Sequence, residues 1–199
     1  MKRRILTCLS ALTLVASSTA LLPGPSHAAD AQEVSCSAIE LKYDGPATMT
    51  KCLQLDQFGN QTEVKIQRLI AETSSSQLII TYYAAKFRTY FPIRPLRQVI
   101  NDAHYFSGTD NWQAEQKYAG FDIAAFDGLG KAGDPPTLCA GFVRYSGQPG
   151  NYEFDNGPGY RNVAQGLYCV FSGQAALINP PDNFYRLVED VIGKLHLPQ

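Results

Sequence analysis

The chain has 199 residues, 45% of them hydrophobic and 18% charged, with a formal net charge of −1. That balance lacks the basic surplus needed to displace phosphate counterions or to dock on anionic lipid, which excludes general nucleic-acid and membrane-surface binding. Past residue 28 no apolar run is long enough for a spanning helix, so a stable membrane span is not expected.

Residues 1–28 have the three regions of a secretory signal. Lys2, Arg3 and Arg4 supply charge, the stretch from Ile5 to Leu22 is apolar, and Pro23-Gly24-Pro25 breaks it before Ser26-His27-Ala28. Cleavage after Ala28 is expected. A retained anchor fits less well, because Ser and Thr interrupt the apolar stretch. The pair Arg3-Arg4 lacks the rest of a twin-arginine pattern, and Cys8 lies too close to the charged region for a lipoprotein cysteine. Removal would leave residues 29–199 as a single domain with 14 basic against 18 acidic side chains, a net charge of −4. The expected location is periplasmic or extracellular.

Four cysteines remain, Cys36, Cys52, Cys139 and Cys169. An even number in an exported chain reads as disulfides. Of the three pairings, Cys36–Cys52 with Cys139–Cys169 is preferred because both close short loops. A four-cysteine metal site or a redox pair would need close spacing such as C-x-x-C, which does not occur.

In chain order, residues 39–43 alternate apolar and polar and predict a short strand. Asp44-Gly45-Pro46 is a turn. Cys52 to Leu55 runs back toward Cys36, and Phe58-Gly59-Asn60 turns again. The runs 62–71 and 77–84 flank three serines and predict a hairpin. Leu96, Val99 and Ile100 fall at i, i+3 and i+4, so 95–103 predicts a short helix. Residues 107–116 read as a loop, 118–126 as a strand, and 128–136 as a breaker-rich loop. Strands are expected at 138–145 and 166–171, joined by a long Gly-, Asn- and Pro-rich connection over 147–160. Asn179-Pro180-Pro181-Asp182 opens a helix over 182–195. Its apolar stripe is Phe184, Leu187, Val188, Val191, Ile192 and Leu195, with Arg186, Glu189, Asp190 and Lys194 opposite. The expected fold is α+β: an antiparallel sheet of about five strands, the C-terminal amphipathic helix on one face, and two disulfides.

Catalytic patterns are sparse. His196 is expected at a frayed helix end. His104, near Ser107 and Asp110, could be part of a triad, but no G-x-S-x-G elbow accompanies it. Asp122, Asp127, Glu153 and Asp155 could supply a carboxylate pair only if held at a set separation. No EF-hand series surrounds Asp155, and the loop glycines match no phosphate or dinucleotide fingerprint. No metal or cofactor is expected.

One constellation stands out. Lys86, Arg88, Arg94 and Arg97 gather in an otherwise acidic chain, with Tyr82, Tyr83, Phe87, Tyr90, Phe91, Tyr105, Phe106 and Trp112 around them. Arginine beside aromatic faces suits sugars, peptides and anionic groups. The bland alternative is a core of aromatics with a solvated cationic face. The candidate ligand residues are Lys86, Arg88, Tyr90, Arg94, Arg97 and Trp112. The function expected is a non-catalytic exported binding or envelope-associated protein, its partner a small molecule, saccharide or envelope protein. The alternative is a small secreted hydrolase using His104 or a carboxylate pair.

Overall fold

Period-two alternation and two tight reversals build the first half of the sheet. The computed structural model describes residues 31–59, 62–86, 89–103, 105–129, 137–151, 158–171 and 181–198. A short strand β1 (Gln32–Val34) precedes a 3-10 turn (Cys36–Ala38) and strand β2 (Lys42–Tyr43). Three long strands follow: β3 (Met49–Gly59), β4 (Thr62–Glu72) and β5 (Ser76–Ala85). They form an antiparallel meander. The β4–β5 reversal is fixed by Thr73, whose Oγ1 accepts the backbone N–H groups of Ser75 at 3.1 Å and Ser76 at 2.9 Å.

The middle of the chain holds β6 (Phe91–Pro92), α1 (Leu96–Asp102), β7 (Gly108–Asp110) and β8 (Gln116–Tyr118). A second meander comprises β9 (Phe121–Leu129), β10 (Thr137–Asn151) and β11 (Pro158–Val170). The chain then forms α2 (Pro181–Gly193) and β12 (Leu195–His196). Strand β5 pairs antiparallel with β11 and joins the two meanders. The ten-stranded sheet runs β1-β3-β4-β5-β11-β10-β9-β7, with β6 also on β11 and β8 on β9, while β12 and β2 form a separate pair.

Ten strands replace the five expected. Four of the additional ones are only two or three residues long, too short to show alternation in sequence. Of the predicted 147–160 connection, residues 147–151 and 158–160 are strand, β10 and β11 staying paired out to Asn151 opposite Pro158, and the rest lies outside the described residues. A register shift between Ser146 and Pro149, with Gly147 at φ +82°, absorbs the Gly- and Pro-rich composition as a bulge. The predicted strand at 118–126 is two strands. Ala119 (φ +49°) and Gly120 (φ +81°) make a two-residue turn between Tyr118 and Phe121, the left-handed pair that suits strand twist. Only the end of the predicted 39–43 strand is one. Before it, Gln67 Oε1 accepts the N–H groups of Glu40 at 3.2 Å and Leu41 at 3.0 Å in place of a ladder.

Both faces of the sheet are covered in part. On one, α2 buries Phe184, Val188, Val191 and Ile192 with Leu78, Ile80, Phe142 and Tyr168. Leu187 is only half-buried, and Tyr185 is deeper than the stripe implied, its phenol accepting the Ala125 N–H and donating to the Ala114 carbonyl, both at 3.1 Å. The helix stops at Gly193. Leu195 and His196 pair instead with β2, and His196 Nε2 lies 2.8 Å from Asp44 Oδ2, so His196 is a strand residue rather than a helix end.

On the other face α1 buries Leu96, Val99 and Ile100 with Phe126, Val143 and Leu167. The Cys139–Cys169 disulfide lies in the same cluster and joins directly opposed residues of β10 and β11. Cys36–Cys52 ties the 3-10 turn to β3. Both pairings are those preferred from loop length.

Candidate functional site

Strand register places the site. On the α1 face, two rungs of the ladder run side by side across the central strands. In the first, Arg68 on β4 lies opposite Thr81 on β5, which lies opposite Gln165 on β11. Two residues along, Ile66, Tyr83, Val163 and Tyr145 form the next rung, from β4 across to β10. Residues two apart on a strand share a face, so both rungs project to the same side.

Helix α1 covers only one end of this face and leaves a groove beside it. The groove encloses about 530 Å³, with Arg68, Tyr83, Tyr145 and Gln165 on its floor. Phe91, Arg94, Asp102 and Tyr105 line its wall. Phe91 meets Tyr83 edge-to-face at 5.9 Å. A smaller depression over Leu53, Leu55 and Ile66 shares Arg68 and Tyr83 with it, so the groove continues across β3 and β4.

The polar groups are ordered. Arg68 Nε donates to Thr81 Oγ1 at 3.0 Å, and Thr81 is fully buried. Gln165 Nε2 donates to the Tyr83 oxygen at 3.4 Å. The Arg94 backbone N–H donates to the Tyr145 oxygen at 3.0 Å, and the Arg94 guanidinium pairs with Asp102. Burial pushes the Tyr83 phenol above its ordinary value; Tyr105 adds to this and the Arg68 guanidinium opposes it. Burial likewise raises Tyr145, against the opposing bond from Arg94.

The six residues singled out in the sequence are dispersed. Arg94 lines the groove. Arg97 sits on the far side of α1, its guanidinium 5.7 Å from the Trp112 ring centre, and Trp112 stacks on Phe126 at 4.4 Å. Tyr90 packs against the β10–β11 hairpin under Arg161, 5.4 Å from its guanidinium. Lys86 is exposed at the end of β5. Arg88 lies outside the described residues, as do His104, Glu153 and Asp155. Three groove residues, Arg68, Tyr145 and Gln165, were missed. A cation flanked by Ile66 and Leu69 in a strand pattern was the one local hint.

The arrangement does not assemble hydrolytic chemistry from the described residues. Asp122 and Asp127 both lie on β9, five residues and roughly 17 Å apart along an extended strand. An odd spacing also puts them on opposite faces, whereas glycoside hydrolysis needs carboxyls about 5–9.5 Å apart. Asp122 pairs with Lys117 at 2.8 Å, and Asp127 accepts from Asn111 Nδ2 at 2.7 Å. Ser107 Oγ donates to the Leu129 carbonyl at 2.8 Å. Among the described residues no group of three or more His, Cys, Asp or Glu could hold a metal ion, and no helix is long and apolar enough to cross a membrane.

No family model, curated protein or solved structure matches the chain.

Proposed function

We propose that the chain is an exported, non-catalytic binding or envelope-associated protein that takes its ligand in the groove between α1 and strands β4, β5, β11 and β10. One observation carries this reading. The groove sets aromatic walls on a floor of central strands, and its one carboxylate, Asp102, pairs with Arg94 instead of facing a nucleophile. Clefts of this size with aromatic walls and a few placed polar groups are the common form of small-ligand sites. The two disulfides fit an oxidising compartment, periplasmic or extracellular. A small molecule or a saccharide suits the groove; an envelope protein could present such a group.

The test screens the exported form against cell-wall fragments, anionic polysaccharides and envelope extracts, alongside a hydrolase substrate panel. Arg94→Ala, at the groove wall, is expected to weaken binding by about tenfold or more, the scale of a charged hydrogen bond. Arg97→Ala, on the far side of α1, is expected to leave it unchanged. Hydrolytic turnover by wild type that vanishes in His104→Ala would replace this reading with the hydrolase.

A further inference from the structure

The groove sets donors from Arg68, Arg94 and two phenols beside two acceptors, the Gln165 amide oxygen and the Asp102 carboxylate, the latter paired with Arg94. Arg68 commits Nε to Thr81 and also hydrogen-bonds the Tyr83 phenol, which leaves the outer N–H groups of its guanidinium fork for a ligand. The Tyr83 oxygen already accepts from Gln165, and the Tyr145 oxygen accepts from the Arg94 N–H, so each phenol has its own proton to give. Burial holds both phenols in the protonated, donating form far above neutral pH.

Charge is unbalanced in the same place. Arg94 has Asp102 as its counter-ion, and that pair is neutral. Among the described residues no carboxylate pairs with Arg68, although its side chain is half-buried on a central strand. A buried charge without a partner is unfavourable, and a bound counter-charge removes the penalty. The surplus is one positive charge, which suits a monoanion. The planar fork of a guanidinium matches the two oxygens of a carboxylate. The volume, about 530 Å³, leaves room for a body well beyond the acid group, and the rings of Phe91 and Tyr105 offer it apolar surface.

We propose that the groove binds a small organic carboxylate, its acid group held by Arg68 with the Tyr83 hydroxyl and its body against the aromatic wall. The inference rests on the binding function proposed above and goes further by naming the charge of the ligand and the residue that anchors it.

Calorimetric titration of the disulfide-intact protein with matched probes tests it. Benzoate, phenylacetate and glucuronate are each compared with the corresponding neutral amide, and inorganic phosphate is run beside them. At least one acid is expected to bind about tenfold or more tighter than its amide. Binding of that acid should fall about tenfold or more in Arg68→Gln, recover in part in Arg68→Lys and remain unchanged in Arg97→Ala. If Arg68→Gln does not fold, the acid-against-amide comparison on wild type decides alone. Equal affinity for acid and amide overturns the proposal, as does phosphate binding tighter than every acid. So does the failure of all three acids to bind by about 10 mM. Binding of neutral saccharides in the groove without preference for acids would reject the carboxylate and leave the binding function standing. Hydrolysis lost in His104→Ala would reject the binding function itself.

Discussion

Gly141 and Ile100 set how closely α1 approaches the sheet, and thereby the width of the groove. A Cβ built on Gly141 would meet Ile100 Cγ1 at 2.6 Å and Cδ1 at 3.0 Å, with Phe126 Cε1 at 3.4 Å. Ile100 is 2% exposed, so it has little room to turn away. Gly141→Ala should therefore cost about 1–3 kcal/mol by overpacking, offset by about 0.5–1 kcal/mol from the smaller backbone entropy loss of alanine. Ile100→Ala alone should cost about 2–5 kcal/mol, the range for a buried large-to-small change. In the double variant the added methyl occupies vacated space and the overpacking disappears. The double variant should then be more stable than the sum of the singles by about 1–3 kcal/mol. Urea denaturation at constant m reads the three differences. Additivity within about 0.5 kcal/mol would mean that α1 does not seat on Gly141 as described.

Three further outcomes follow from particular positions. Ala119→Gly should raise stability by up to about 1.6 kcal/mol, because alanine in the left-handed region costs about 1–2 kcal/mol and the freer unfolded glycine chain returns about 0.4–1; a lowered thermal midpoint would refute the turn. Val188→Ala should cost about 1.5–3 kcal/mol and Leu187→Ala less, with Glu189→Ala within about 0.5; equal losses in denaturation would place the helix in another phase. Tyr43, Tyr82, Tyr83 and Tyr145 all have phenol values raised chiefly by burial. Their neutral forms favour the fold, so this stability is fully present below the unfolded value near about 10 and is lost as pH rises through the raised folded values. Ultraviolet titration should show late phenolate formation coupled to unfolding, and ionisation of every tyrosine at the unperturbed value would contradict it.

Local pattern carried the elements whose stabilising contacts are near in sequence. Leu96, Val99 and Ile100 are buried at helical spacing as read, and Phe184, Val188, Val191 and Ile192 likewise. Thr62 to Ala84 folds as the expected hairpin, and cysteine spacing yielded both disulfides. What escaped depends on tertiary partners. Phe91–Pro92 and Gly108–Asp110 become strands only because β11 and β9 offer open ladder groups. Ala119 takes a conformation alanine avoids because the flanking strands demand the turn. The sequence cluster at 86–112 exposed Arg94 but not Arg68, since their meeting requires β4 and α1 to share one face of a sheet. Aromatic and basic residues adjacent in sequence were instead parted by α1, which sends Arg97 and Trp112 to its far side.

The β5–β11 pairing has a kinetic meaning. Each meander is assembled from neighbours in sequence, whereas the seam pairs Ser76 with Val170 and Ala84 with Asn162. Closing so long a loop costs entropy before the ladder repays it, and non-local strand pairing slows folding. The seam also tolerates no added bulk: a Cβ on Gly166 would collide with the Ile79 backbone carbonyl and the Phe142 ring. The two meanders are thus expected to form first and the seam to close late. Gly166→Ala should then mainly accelerate unfolding in a chevron experiment, with little change in the folding limb. The groove floor spans this seam, since Arg68 and Tyr83 come from one meander and Gln165 and Tyr145 from the other, so binding competence would arise only in the final step of folding.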